Sequence, residues 1–190
     1  MRLRRLASLA VLLALGLPAG AAAPVPRAAP ELTIVDPSGN STSLSRFKGH
    51  VVVVEFLWVR CPSCLSMAQT INKLHDEMAD RGFEAVAVAF DEGISAPAVR
   101  SFAQLMSIKY PVGYTTSDQV DRYLGRAATE RFQVPQLVVI DRAGVIRAQS
   151  LPTGEAELTD ETHLRNLVHQ LLDEGAQPGK SENSAPRPAG

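Results

Sequence analysis

Val51-Val52-Val53-Val54-Glu55-Phe56-Leu57-Trp58-Val59-Arg60-Cys61-Pro62-Ser63-Cys64 is the stretch on which the reading of this chain turns. Its first half is β-branched and does not alternate apolar with polar. It therefore reads as a strand covered on both faces, as at the centre of an α/β sheet. Its second half leaves the strand through Val59-Arg60 and opens a helix at the cysteines. Beyond Cys64, residues Leu65, Ala68, Ile71, Leu74 and Met78 fall on one helical face. Pro62 suits the first helical turn, where its missing N–H costs no hydrogen bond. Cys61 thus stands at a helix N-terminus, where unpaired N–H groups and the positive dipole end favour a thiolate. In Cys-x-x-Cys settings the first thiol's pKa falls to about 3.5–7.5. Cys64 lies one turn on, close enough to close a disulfide, and is expected to be the more buried, resolving thiol.

The same logic extends in both directions. Phe83 to Phe90 reads as a second covered strand, and Leu137 to Ile140 as a third. Asp141-Arg142-Ala143-Gly144 is a turn signal that leads Val145 to Ser150 back as a hairpin partner. Upstream, Leu32–Val35 and Thr42–Leu44 flank the turn signal Asp36-Pro37-Ser38-Gly39-Asn40. Helical periods mark Ala98 to Met106 and Gln119–Leu124. A last helix capped by Asp160 carries Leu164, Leu167, Val168, Leu171 and Leu172. Strands alternating with helices and ending in a hairpin and a helix give an α/β sandwich with helices on both faces.

At 190 residues the chain holds one domain. Hydrophobic residues at 45% and charged residues at 21% fit a globular core. A net charge of −1 provides no field for nucleic acid or an anionic membrane, and 5% aromatics argue against a base-stacking surface. Residues 1–23 read as a secretory signal peptide: Arg2, Arg4 and Arg5, then the apolar run Leu6 to Leu17, then small residues from Pro18 to Ala23. An uncleaved N-terminal anchor is the other reading of that run. Either implies export to a periplasmic or otherwise extracytoplasmic compartment that tolerates disulfides. Residues 24–30 read as a Pro- and Ala-rich linker, 31–173 as the folded domain, and 174–190 as a disordered tail. The chain has two cysteines, three positions apart. A bridge between them closes almost no loop and constrains the unfolded chain little, so its value lies in chemistry.

Glu55 to Cys64 resembles the active-site strand and turn of thioredoxins, and Val134-Pro135-Gln136-Leu137-Val138-Val139-Ile140-Asp141 resembles their proline-led strand. The residues before the core, and the helix and strand added between Ser95 and Tyr114, are more similar to the exported TlpA/ResA branch of that superfamily. The resemblance covers roughly residues 31–173. It implies a thioredoxin-like fold: a central mixed β-sheet flanked by helices, with an N-terminal hairpin and an inserted helix–strand. It implies a protein-disulfide oxidoreductase that exchanges disulfides with partner proteins, more as a reductase than an oxidase. No cofactor is needed beyond the redox-active Cys61–Cys64 disulfide, and the implied electron donor is a membrane thiol carrier. Glu55, six positions before Cys61, matches the buried carboxylate of thioredoxins, where Asp is more usual. Buried beneath the pair, it would have a raised pKa and would accept the proton of Cys64. Pro135 matches the family's cis proline. Val134 before it would pair its backbone with an extended substrate chain. The dipeptide Pro62-Ser63 would tune the potential. Arg60 departs from the pattern, since thioredoxins carry Trp directly before the first Cys. It sets a positive charge beside the nucleophile. Trp58, ending a buried strand, reads as core.

Three other readings compete. A zinc site would need a second ligand pair; there is none, and His50, His75, His163 and His169 are scattered. The copper carriers of this fold place three residues between their cysteines, where this chain has two. A thiol peroxidase of peroxiredoxin type would carry Pro and Thr before its reactive Cys, and Leu57 to Arg60 supply neither. A non-catalytic binding module with a static disulfide stays open, since fold alone never proves function.

Overall fold

Every residue from Val51 to Leu57 is buried, and a strand with no solvent face must lie between other strands and beneath helices on both sides. The computed structural model, which describes residues 23–127, 131–154 and 157–176, gives it that place. The chain runs β1 (Arg27–Ala28), β2 (Thr33–Val35), β3 (Ser41–Ser43), β4 (Val51–Leu57), α1 (Pro62–Met78), β5 (Phe83–Ala89) and α2 (Ala96–Leu105). It continues through β6 (Val112–Tyr114), α3 (Ser117–Leu124), β7 (Gln136–Ile140), β8 (Val145–Gln149) and α4 (Glu161–Ala176). Single 3-10 turns occupy Leu44–Phe47 and Ala79–Arg81.

The strands form one mixed sheet in the order β1-β8-β7-β4-β5-β6-β2-β3. Central β4 is parallel to β5, from Val51 opposite Phe83 to Leu57 opposite Ala89. It is antiparallel to β7, where Phe56 stands opposite Gln136. That register brings the end of β4 beside the beginning of β7, so the segments after Leu57 and before Gln136 meet at one edge of the core.

Alternation along β4 builds the two layers. Val51, Val53 and Leu57 point to the face covered by α1, α2 and α4, against Ile71, Leu74, Phe102, Leu164 and Val168. Val52, Val54 and Phe56 point to the face covered by α3 and the first 3-10 turn, against Val120, Tyr123, Leu124 and Phe47. Each fully buried Val, Leu, Ile or Phe contributes about 1.5–3 kcal/mol, so these two rows outweigh any surface pairing. The exposed ion pairs Lys73–Glu161, Arg81–Asp173 and Arg165–Glu77 join neighbouring surface segments, each contributing about 0–1 kcal/mol.

The thioredoxin-like fold is as expected, with its N-terminal hairpin β2–β3 and the inserted α2 and β6. Three details differ. Arg27 and Ala28, read as linker, pair antiparallel with Ile146 and Val145 as edge strand β1. The return strand of the hairpin ends at Ser43, because Leu44 opens the 3-10 turn capped by the Ser43 side chain. α4 runs through Ala176, so residues 174–176, read as tail, are helical. The expected signal peptide, save Ala23, and the rest of the tail lie outside the described residues. No described helix is long and apolar enough to cross a membrane.

Candidate active site

The chain leaves β4 at Leu57 and turns through Trp58–Arg60 before α1 begins. The Asp91 carboxylate, just past β5, accepts the Val59 N–H at 3.2 and 3.1 Å and so fixes this turn. Cys61 is the N-cap of α1, with extended backbone, and its sulfur accepts the Cys64 N–H at 3.4 Å. Pro62 is the first helical residue, where its ring needs no donor. Helical spacing then turns Cys64 into the core, fully buried with Met67, Ala68 and Ile71, and leaves Cys61 half-buried at the surface.

From the other direction comes the segment before β7. The Val134–Pro135 bond is cis. The Val134 carbonyl faces the cysteines: it lies 3.7 Å from Cys61 Sγ and accepts the Ser63 hydroxyl at 3.2 Å. Ser63 Oγ is also 3.0 Å from Cys61 Sγ. One hydroxyl has one proton. With a thiol at Cys61, the S–H has the Ser63 oxygen and the Val134 carbonyl as acceptors. With a thiolate, the Ser63 O–H has the sulfur as its acceptor.

The two thiols are pushed apart. Partial burial opposes ionisation of Cys61, but hydrogen bonds from the Cys64 and Ser63 side chains and from both backbones outweigh it and hold the Cys61 pKa below the ordinary thiol value. Burial pushes the Cys64 thiol far up, and its hydrogen bond to Cys61 pushes the same way. The surface thiol thus ionises the more readily, and the buried one holds its proton.

Glu55 occupies the position between Val53 and Leu57 on β4 and shares their direction, toward the face of α1. It is wholly buried, and its two carboxyl oxygens have no hydrogen-bond partner among the described residues. Burial raises its pKa well above the usual glutamate range, and negative charge on Cys61 raises it further. Glu55 in turn adds to the upward shift of Cys64.

Cys61, Cys64, Glu55, Ser63, Val134 and Pro135 therefore converge. Arg60 does not join them: it is exposed, makes no hydrogen bond or ion pair among the described residues, and is not among the groups that lower the Cys61 pKa. Trp58 is a correction. It is 43% exposed rather than core, with its ring 6.1 Å from that of Phe90, which in turn stacks edge-on with Phe132. The strand's buried run stops at Leu57, and the aromatic side chain lies over the sheet's end instead of beneath it. Asp91 and Gln136 were not singled out from the sequence; their partners lie across loops that no local pattern connects. Among the described residues no three His, Cys, Asp or Glu gather as metal ligands.

A family model described as Redoxin matches residues 19–168. The chain belongs to the Redoxin family. This redoxin is similar to the thiol-disulfide oxidoreductase ResA of Bacillus thuringiensis subsp. konkukian, 25% identical over 140 residues, which are 74% of this chain and 76% of that protein. It is also similar to a chloroplastic peroxiredoxin Q of Suaeda salsa, 29% identical over 121 residues, which are 62% of this chain and 55% of that one. Its fold matches a crystal structure of a thioredoxin-family thiol:disulfide interchange protein from Chlorobium tepidum, with a TM-score of 0.63 and 24% identity over 79% of this chain and 99% of that one. The redoxin is thus a thioredoxin-superfamily protein of TlpA/ResA type.

Proposed function

We propose that this redoxin reduces disulfides in partner proteins, outside the cytoplasm, using Cys61 and Cys64 as its electron-carrying pair. The observation that carries the reading is the divided pair: a half-exposed Cys61 with a lowered pKa, backed one turn later by a buried Cys64 with a raised one. The Cys61 thiolate attacks one sulfur of a substrate disulfide, forming a mixed disulfide and releasing the other substrate sulfur as a thiolate, which takes a proton from solvent. Loss of the Cys61 charge removes the smaller of the two causes that hold Glu55 protonated, which eases release of its proton to solvent. Its carboxylate then accepts the Cys64 proton, and Cys64 attacks Cys61 sulfur. The Cys61–Cys64 bond forms, the mixed disulfide breaks, and the second substrate sulfur leaves. The substrate gains two electrons and the pair loses two; a membrane-bound donor thiol protein returns them. Val134 holds the substrate backbone beside Cys61.

Export rests on the N-terminal Arg2, Arg4, Arg5 and Leu6 to Leu17 pattern. The mechanism is tested by mixed-disulfide trapping. Cys61→Ser abolishes reductase activity, and Cys64→Ser accumulates the mixed disulfide; trapping by the opposite variant reverses the assignment. The likeness to peroxiredoxin Q supports a second reading, reduction of a peroxide at Cys61. Peroxide consumption matched against disulfide reduction, with the same chemical dithiol supplying electrons, separates the two.

A further inference from the structure

Gln136 is 1% exposed although it opens a strand directly after Pro135. A buried amide carries two N–H donors, and leaving them unmade is costly. Here both acceptors are backbone carbonyls on separate loops. Gln136 Nε2 donates to the Gln133 carbonyl at 2.8 Å and to the Leu151 carbonyl at 3.1 Å. The same two loops meet again where the Gln133 N–H donates to the Pro152 carbonyl at 3.1 Å. Between these ties lies the Gln133–Pro135 strap, whose Val134 carbonyl reaches Cys61 and Ser63. Gln136 itself makes no hydrogen bond to Cys61, Cys64 or Glu55 among the described residues. It acts on the site only through the strap.

We propose that Gln136 is a positioning residue for disulfide exchange. Its amide clips the Gln133–Pro135 strap to the turn at Leu151, and so fixes the height at which Val134 presents its backbone to an extended partner segment beside Cys61. The inference rests on the oxidoreductase reading above. Without the amide, two buried carbonyls lose their donor and the strap gains freedom. A strap displaced by an ångström weakens the hold on the substrate.

The test uses the full chain, a ten-residue peptide containing one disulfide, and dithiothreitol as the electron source. Gln136→Met keeps the length of the side chain and removes both donors. Gln136→Asn keeps the amide but is one methylene too short to span both carbonyls. In both variants KM for the peptide rises about tenfold while kcat stays within about twofold, the signature of lost uniform binding. A KM within about twofold of wild type in a variant that melts cooperatively overturns the proposal, as does a fall in kcat with KM unchanged. If the unaltered protein does not reduce the peptide at all, the oxidoreductase reading fails first, and the proposal with it.

Discussion

A carboxyl as deeply buried as Glu55 makes the reduced protein sensitive to pH. Its folded pKa is raised, so the native state holds a proton that the unfolded chain releases above about pH 4.3. The stability that Glu55 contributes as a neutral acid is fully present below that value and is lost as pH rises through the folded pKa. Thermal melts of wild type and Glu55→Gln across the acid-to-alkaline range are therefore expected to diverge. Wild type loses several degrees that the variant keeps, and parallel curves would mean that Glu55 does not titrate on unfolding. Cys61 has the opposite sign. Ser63→Ala removes one of the hydrogen bonds that favour its thiolate, so the midpoint of Cys61 alkylation by iodoacetamide moves to higher pH. An unchanged midpoint would leave the lowering to Cys64 and the backbone. The pair was readable in the sequence because helix-start chemistry acts within a few residues, and Glu55 because its place six residues before Cys61 resembles the thioredoxin pattern. Trp58 and Gln136 were not. Whether Trp58 is covered depends on which loop lies over the end of β4, and the acceptors of Gln136 are set by the turn near Leu151, neither of which a local pattern specifies.

Among the elements, Asp160 is a cap that the sequence announced and the structure supplies: its carboxylate accepts the His163 N–H at 2.8 Å. Asp160→Ala should cost about 1 kcal/mol in urea unfolding with the slope unchanged. The join between the N-terminal hairpin and the core sheet is narrower. β2 meets β6 through Val35 and Tyr114. A Cβ added at Gly113 would stand 2.9 Å from the Ile34 side chain and 3.0 Å from the Val35 carbonyl oxygen. Gly113→Ala is expected to destabilise by about 1–3 kcal/mol and to speed amide exchange in Thr33–Val35 before the rest of the sheet; uniform exchange would show that the join tolerates the methyl group. Long covered strands and amphipathic helices were legible because each carries its own period. β1 was not: two residues between prolines have no period, and only the free edge of β8 makes them a strand.

For the whole molecule the governing quantity is the potential of the Cys61–Cys64 pair. Equilibration in thiol redox buffers with mass-tag readout is expected to return a value near that of thioredoxin, about −270 mV, for a reductase fed by a donor. A value near −120 mV would make it an oxidant. One below about −300 mV, beyond reduction by physiological thiols, would favour a static bridge and a binding module. The topology was legible in outline, since a right-handed strand–helix–strand order leaves few arrangements of the sheet. The position of the hairpin beyond β6 was not, because three-residue strands carry too few pairs to declare their neighbour.

The sheet begins and ends in very short strands, two residues at β1 and three at β3. A long bare edge offers unpaired backbone to any other extended chain, including another copy of the same protein, and short terminal strands blunt that risk. β1 shields Val145 and Ile146 at the outer side of β8. A shortened chain beginning after Ala28 would leave that side open, and self-association rather than unfolding would be its first failure. In the proposed reading, where an extended partner chain pairs at the corner beside Cys61, keeping the far edges closed confines that pairing to the corner where the chemistry is.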